Sequence, residues 1–177
     1  PEGVPTVATI LQEEGWRTGA VHSAFPVSGT FGFGRDFDVF DSFDGAFAEM
    51  QGGPSKWSVG ELQRRSDVAI DKALDFVAGS GEDPFFLWLH LWDPHDSMVL
   101  PPAEAMANVR RDPNGTPHPL DLYVAELEYM DGQLGRLLDA LPEDTVVVLT
   151  ADHGEGLYDG LQRHGWFNHR VLYHEQL

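Results

Sequence analysis

This chain has no cysteine, so no disulfide scaffold holds it together. Lysine is nearly missing too. Lys56 and Lys72 are the only two, and the other nine of the 11 basic residues are arginine. Set against 29 acidic residues, they leave a formal net charge of −18. Nucleic acid and anionic membrane surfaces both need a basic footprint, so neither is expected as a partner. The same acidity suits a high-salt host, where screening relieves self-repulsion. No run approaches the roughly 20 apolar residues of a membrane span. No basic, apolar and cleavage pattern of a signal peptide opens the chain. Pro1 reads as a point inside a longer protein, so the compartment stays open. Internal repeats and low-complexity tracts are absent as well.

What is present suits a globular domain with a real core: 177 residues, 42% of them apolar, with five tryptophans. Pro5 to Glu14 predicts a helix with Val7, Ile10 and Leu11 on one face, and Gly15 stands where a left-handed cap residue belongs. Trp16 to Ser23 predicts a short strand. Phe25 to Gly34 reads as a loop, and Phe37 to Phe40 as a brief strand among Asp36, Asp38, Asp41 and Asp44. Ser58 with Glu61 forms a capping-box pattern, which predicts a helix from there to Gly79. Pro84 to Trp92 has the continuous apolarity of a central parallel strand. Met98 to Pro119, with five prolines, reads as a long excursion of the functional kind. Leu120 to Leu141 is the clearest helix, with Tyr123, Leu127, Met130, Leu134, Leu137, Leu138 and Leu141 as its stripe and Glu126 on another side. Val146 to Leu149 predicts a strand buried on both faces. Helix and strand alternate throughout, which predicts an α/β fold with a mainly parallel sheet flanked by helices.

The candidate chemistry follows strands. Asp152, His153, Gly154 and Glu155 end the Val146–Leu149 run, and Asp93-Pro94-His95-Asp96 ends the Pro84–Trp92 run. Parallel strands bring their carboxyl ends to one edge, where ligands sit in open α/β sheets. A carboxylate oxygen beside a neutral imidazole makes half of a divalent-metal site. His90, inside an apolar strand, reads as a core histidine, and His118 and His174 as structural or exposed.

Five ordered segments then resemble the sulfatases of the alkaline phosphatase superfamily. They are Gly-Trp-Arg-Thr-Gly-Ala-Val, Gly-Phe-Gly-Arg-Asp-Phe-Asp-Val-Phe-Asp, Pro-Phe-Phe-Leu-Trp-Leu-His-Leu-Trp-Asp-Pro-His-Asp, Tyr-Met-Asp-Gly-Gln-Leu-Gly-Arg-Leu-Leu-Asp-Ala-Leu and Thr-Ala-Asp-His-Gly-Glu. The resemblance covers nearly the whole chain and implies an alkaline-phosphatase-like core. It implies that Asp152 and His153 are metal ligands, that His95 contacts the sulfate group or leaving oxygen, and that His169 grips the anion. His164 stands beside them as a further substrate contact. Ca2+ is the implied metal, with Mn2+ and Zn2+ as alternatives. The implied substrate is an anionic small-molecule or carbohydrate sulfate ester. A histidine can protonate a departing alkoxide, an effect of roughly 10²–10⁴ in rate, while a divalent cation offsets charge on the non-bridging oxygens.

The departures are as informative. Sulfatases attack with a formylglycine made in a Cys/Ser-X-Pro-X-Arg motif, and the chain has no such motif. The first metal-ligand pair of the family is missing too, and where many members carry Lys-X-His this sequence has Ser23 and Phe25, with His22 one place off. Residues 1–177 therefore read as a partial sulfatase catalytic domain, with the N-terminal nucleophile segment and a C-terminal part absent and the formylglycine expected upstream. A phosphonate monoester or phosphodiester hydrolase of the same superfamily is the first alternative, favoured by Asp-His in place of Asp-Asn. A non-catalytic metal-binding fragment is the second. Neither the oligomeric state nor the esterified group is legible.

Overall fold

A computed structural model describes residues 3–41, 63–95 and 99–154. The described residues form two compact units. The first comprises Pro1–Trp92 and Gln133–Ala140, and the second Asp93–Gly132 and Leu141–Leu177, each considered over its described part.

The first unit opens with helix α1, Val7–Glu13. Thr6 caps it by accepting the Thr9 N–H at 3.2 Å through its hydroxyl, and the Thr9 hydroxyl accepts the Thr6 N–H in return. At the other end Gly15 adopts φ +84°. Its N–H reaches the Gln12 carbonyl, and the Trp16 N–H reaches Leu11, a Schellman closure that fits the expected cap. The buried face differs from the expectation: Ala8 is buried while Val7 and Ile10 are exposed.

Strand β1, Arg17–Val21, lies between β2, Val39–Asp41, and β3, Phe85–Leu89, and both pairings are parallel. The expected mainly parallel α/β arrangement is thus present. The centre of the described sheet is β1, however. β3 is half-buried along its whole length, although its apolarity predicts the middle place. Helix α2, Ser66–Ser80, connects β2 to β3 and packs on one sheet face through Ala69, Ile70, Ala73 and Phe76, all buried. Gly19 permits that approach, because a Cβ there would sit 2.4 Å from the Phe76 ring. The opposite face is aromatic: Phe37 stacks with Phe86 and Trp88, and Phe33 stacks on Trp88.

The α2 start differs from the capping-box expectation. Residues 58–62 lie outside the described residues, but 63–65 are extended: Gln63 bridges Ala24, and the Arg64 N–H donates to the Ser23 carbonyl. Those bonds commit the backbone away from helix until Ser66.

In the second unit, the excursion before helix α3, Pro119–Leu138, packs Met106 and Val109 against Leu122 and Ala125. The buried positions of α3 are Leu122, Ala125, Glu126 and Leu137; Leu137 belongs to the predicted stripe, the first three lie beside it, and Glu126 is fully buried rather than outward. A larger difference concerns Val146–Leu149. This run belongs to no strand among the described residues, and Val146 and Leu149 are 87% and 79% exposed. A strand apolar on both faces needs neighbours on both sides, and no described residue pairs with it.

Candidate functional site

In the first unit the parallel strands end together at Val21, Asp41 and Leu89, and the His90 N–H continues the ladder by donating to the Val21 carbonyl. His90 lies between the Trp88 and Trp92 rings, at 6.2 and 5.6 Å, in keeping with a packing role. His22 is buried, stacks on Phe40 at 5.2 Å and approaches the Ala24 carbonyl through Nδ1.

The second unit holds the described residues singled out for chemistry. The chain leaves β3 and turns through one 3-10 turn, Asp93–His95. Asp93 is buried and His95, the last residue of the turn, is half-buried. Asp152 and His153 follow the Val146–Leu149 run on a separate segment. The Asp152 carboxylate accepts the His153 backbone N–H at 3.0 Å through Oδ1. Its Oδ2 lies 3.6 Å from His153 Nε2. His153 Nδ1 is 3.0 Å from the Gly154 carbonyl. A carbonyl only accepts, so Nδ1 carries the proton in that bond and the neutral ring has its lone pair on Nε2. Two lone-pair donors then face one another, one hard carboxylate oxygen and one imidazole nitrogen, a donor set suited to a divalent cation. The Asp152 side chain is 83% exposed, so a cation could reach it from solvent. Two donors do not complete a coordination shell, and among the described residues no group of three or more carboxylates and imidazoles surrounds one point. His164 and His169 lie outside the described residues, as do Glu155 and Asp96.

Sequence reasoning missed a cluster at the start of α3. Arg110 grips the Asp121 carboxylate through Nε and Nη2, both at 2.6 Å, and its backbone N–H adds a third bond. His118 Nδ1 stands 3.3 Å from the same carboxylate, which places this histidine in a structural role. The Arg110 guanidinium holds the Asp121 carboxyl well below the usual carboxylate range. The only sequence signal was an acidic residue in the first turn of a helix, a common position for reasons of helix polarity alone.

The sequence matches the Sulfatase family over residues 1–177. The chain belongs to the sulfatase family. Its likeness to curated proteins runs in two directions. It is 28% identical over 119 residues to the N-acetylgalactosamine-6-O-sulfatase of Bacteroides thetaiotaomicron, covering 64% of this chain and 21% of that protein. It is 31% identical over 126 residues to a phosphopentomutase of Clostridium perfringens, covering 68% of this chain and 25% of that protein. A phosphopentomutase of Aliivibrio fischeri shares 56% identity over 32 residues, 18% of this chain and 8% of that protein. The chain thus spans a quarter or less of the length of these relatives. In fold it is similar to a protein of the alkaline phosphatase superfamily from Vibrio parahaemolyticus. The TM-score is 0.51 at 24% identity, over 78% of this chain and 31% of that one. Members of the sulfatase family typically use divalent metals.

Proposed function

We propose that the full-length protein is a sulfatase that hydrolyses sulfate esters, and that residues 1–177 form part of its catalytic domain, with the nucleophile on a segment outside this chain. The observation that carries this reading is the Asp152–His153 pair, with Nε2 facing Oδ2 at 3.6 Å, in a chain matched along its whole length by the sulfatase family. In this reading Asp152 and His153 hold a divalent metal, with Ca2+ expected ahead of Mn2+ or Zn2+. When bound, such a cation offsets charge on the non-bridging oxygens of the ester. The Gly154 carbonyl, 3.0 Å from Nδ1, favours the tautomer with the proton on Nδ1 and the lone pair on Nε2, the form a metal ligand needs. His95 gives a proton to the departing oxygen, and His169 and His164 contact the anionic group. The substrate is an anionic small molecule or carbohydrate sulfate.

The test uses the full-length protein. Asp152→Ala should lose bound metal by elemental analysis and turnover of an aryl sulfate along with it; unchanged metal content sinks the ligand assignment. His95→Ala should lower kcat by roughly 10²–10⁴ on esters with poor leaving groups, and much less on good ones. Equal losses across a leaving-group series remove its role as acid.

A second reading, phosphate chemistry in the form of a phosphonate monoester or phosphodiester hydrolase or a phosphate transferase, is favoured by the Asp-His form of the pair and by the 31% identity to a phosphopentomutase. The ratio of kcat/KM for matched aryl sulfate and aryl phosphonate esters separates the two. A formylglycine motif in the upstream segment supports the first reading or a close relative of it, and a threonine nucleophile there supports phosphate transfer.

A further inference from the structure

The excursion before α3 ends in a hairpin that the proposed chemistry does not use. Its two arms are joined by the His118 N–H to the Arg110 carbonyl at 2.7 Å, by the Asp112 N–H to the Thr116 carbonyl at 3.0 Å, and by the bridge between Arg111 and Pro117. The Arg110 grip on Asp121 fixes its base to the first turn of α3. Its tip reads Asn114-Gly115-Thr116, an Asn-X-Thr tripeptide with no proline at the middle place. The other two asparagines, Asn108 and Asn168, have no serine or threonine two residues on.

The tip is shaped by Asp112, not by the asparagine. Asp112 Oδ1 accepts the backbone N–H groups of Asn114 and Thr116, both at 2.9 Å, and the Asp112 carbonyl accepts the Gly115 N–H at 2.9 Å. Gly115 sits at φ +84°, a conformation that suits glycine. An asparagine at a turn commonly spends its side chain bonding its own backbone. Here Asp112 takes that task. The Asn114 amide and the Thr116 hydroxyl make no hydrogen bond among the described residues, and both residues are exposed. One carboxylate thus holds both backbones on a solvent-facing tip and leaves both side chains uncommitted.

We infer that Asn114 is an acceptor for an N-linked glycan. The co-substrate class is a lipid-linked (pyro)phosphate oligosaccharide, and the catalyst is an oligosaccharyltransferase that reads the Thr116 hydroxyl. The Asn114 side-chain nitrogen forms a bond to the anomeric carbon and loses one proton. The bond from that carbon to the phosphate oxygen breaks, and the lipid (pyro)phosphate leaves. Pro117 restricts Thr116 to extended backbone, so occupancy is partial and Pro117→Ala raises it.

The experiment is secretion of the full-length protein from a glycosylating eukaryotic host, followed by peptide mapping with and without amidase release of glycans in heavy-oxygen water. The expected result is an oligosaccharide mass on the peptide containing residue 114, and heavy oxygen at position 114 after release. Spontaneous deamidation in ordinary water leaves no heavy oxygen. Asn114→Gln and Thr116→Ala should both abolish the added mass, while Thr116→Ser retains it. These substitutions leave the backbone bonds to Asp112 in place, so all variants should keep the wild-type melting temperature. A secreted wild-type protein whose 114 peptide is wholly unmodified overturns the inference, and so does a mass that survives in Asn114→Gln.

Discussion

Asp38 accepts the Thr18 backbone N–H at 2.8 Å, the Thr18 hydroxyl at 3.1 Å and the Gln12 amide at 2.8 Å. Thr18 is fully buried, so its N–H has no water to turn to. Asp38→Ala should therefore cost about 1–3 kcal/mol, the penalty of a buried donor without an acceptor. A urea midpoint that does not move, at unchanged slope, contradicts this. The Thr18 N–H is also the chief cause that holds the Asp38 carboxyl below its usual value, and Arg110 does the same for Asp121. A carboxyl depressed in the folded state contributes stability that is complete above its unfolded value of about 4 and is lost as pH falls from there through the folded value. Stability measured by urea should thus fall on the acid side below about pH 4. Arg110→Ala should flatten that fall, because the Asp121 carboxyl then returns toward its ordinary range. An unchanged acid limb argues against the Arg110–Asp121 grip. The Asp38 tie was not legible beforehand, because Asp38 is one of several acids around the brief strand at Phe37 to Phe40. The partners of Asp38 are Thr18 and Gln12, both distant in sequence, and spacing gives no sign of them.

Elements that depend on nearby residues were legible, and α1 shows why. Its start is a threonine hydroxyl and its stop a glycine, and both act within four residues. Thr6→Ala should destabilise by about 0.5–2 kcal/mol. Gly15→Ala should cost about 1 kcal/mol, since alanine at φ +84° meets the left-handed penalty. Thermal melts of the two variants should show both losses, and a neutral Gly15→Ala would mean that the cap conformation is not held in solution. β1 and β3 were legible from their apolar runs. The start of α2 was not: a local capping pattern at Ser58 competes with the long-range bridge from Gln63 to Ala24, and the bridge decides residues 63–65. The orientation of α3 was half legible. Its periodicity is plain, but Glu126 faces inward, and amphipathic patterning has no way to place a buried acid.

For the molecule as a whole, a formal charge of −18 sets the response to salt. Raising ionic strength from about 0.1 M to about 1 M shortens the screening length from about 10 Å to about 3 Å. The melting temperature should therefore rise with sodium chloride, as self-repulsion in the compact state relaxes. A flat or falling response would mean that the acidic groups are already neutralised by their own partners. The parallel α/β architecture was legible because strand and helix alternate in order. Of the candidate site, the Asp152–His153 pair was legible as adjacent residues, although the run before it forms no strand among the described residues. What the sequence could not supply was the bonding around the pair, such as the Gly154 carbonyl that favours the proton on Nδ1 of His153.

The open run at 145–150 carries a different consequence. Thr-Val-Val-Val-Leu-Thr has high β propensity, no charge and no proline, and its centre stands largely in solvent. Such a hexapeptide can stack with copies of itself into a dry zipper. Concentrated solutions of the 177-residue chain should bind thioflavin T over time, and Val148→Lys, a gatekeeper charge at an 84% exposed position, should delay the onset. An equal lag for both proteins would place the fibril-forming segment elsewhere.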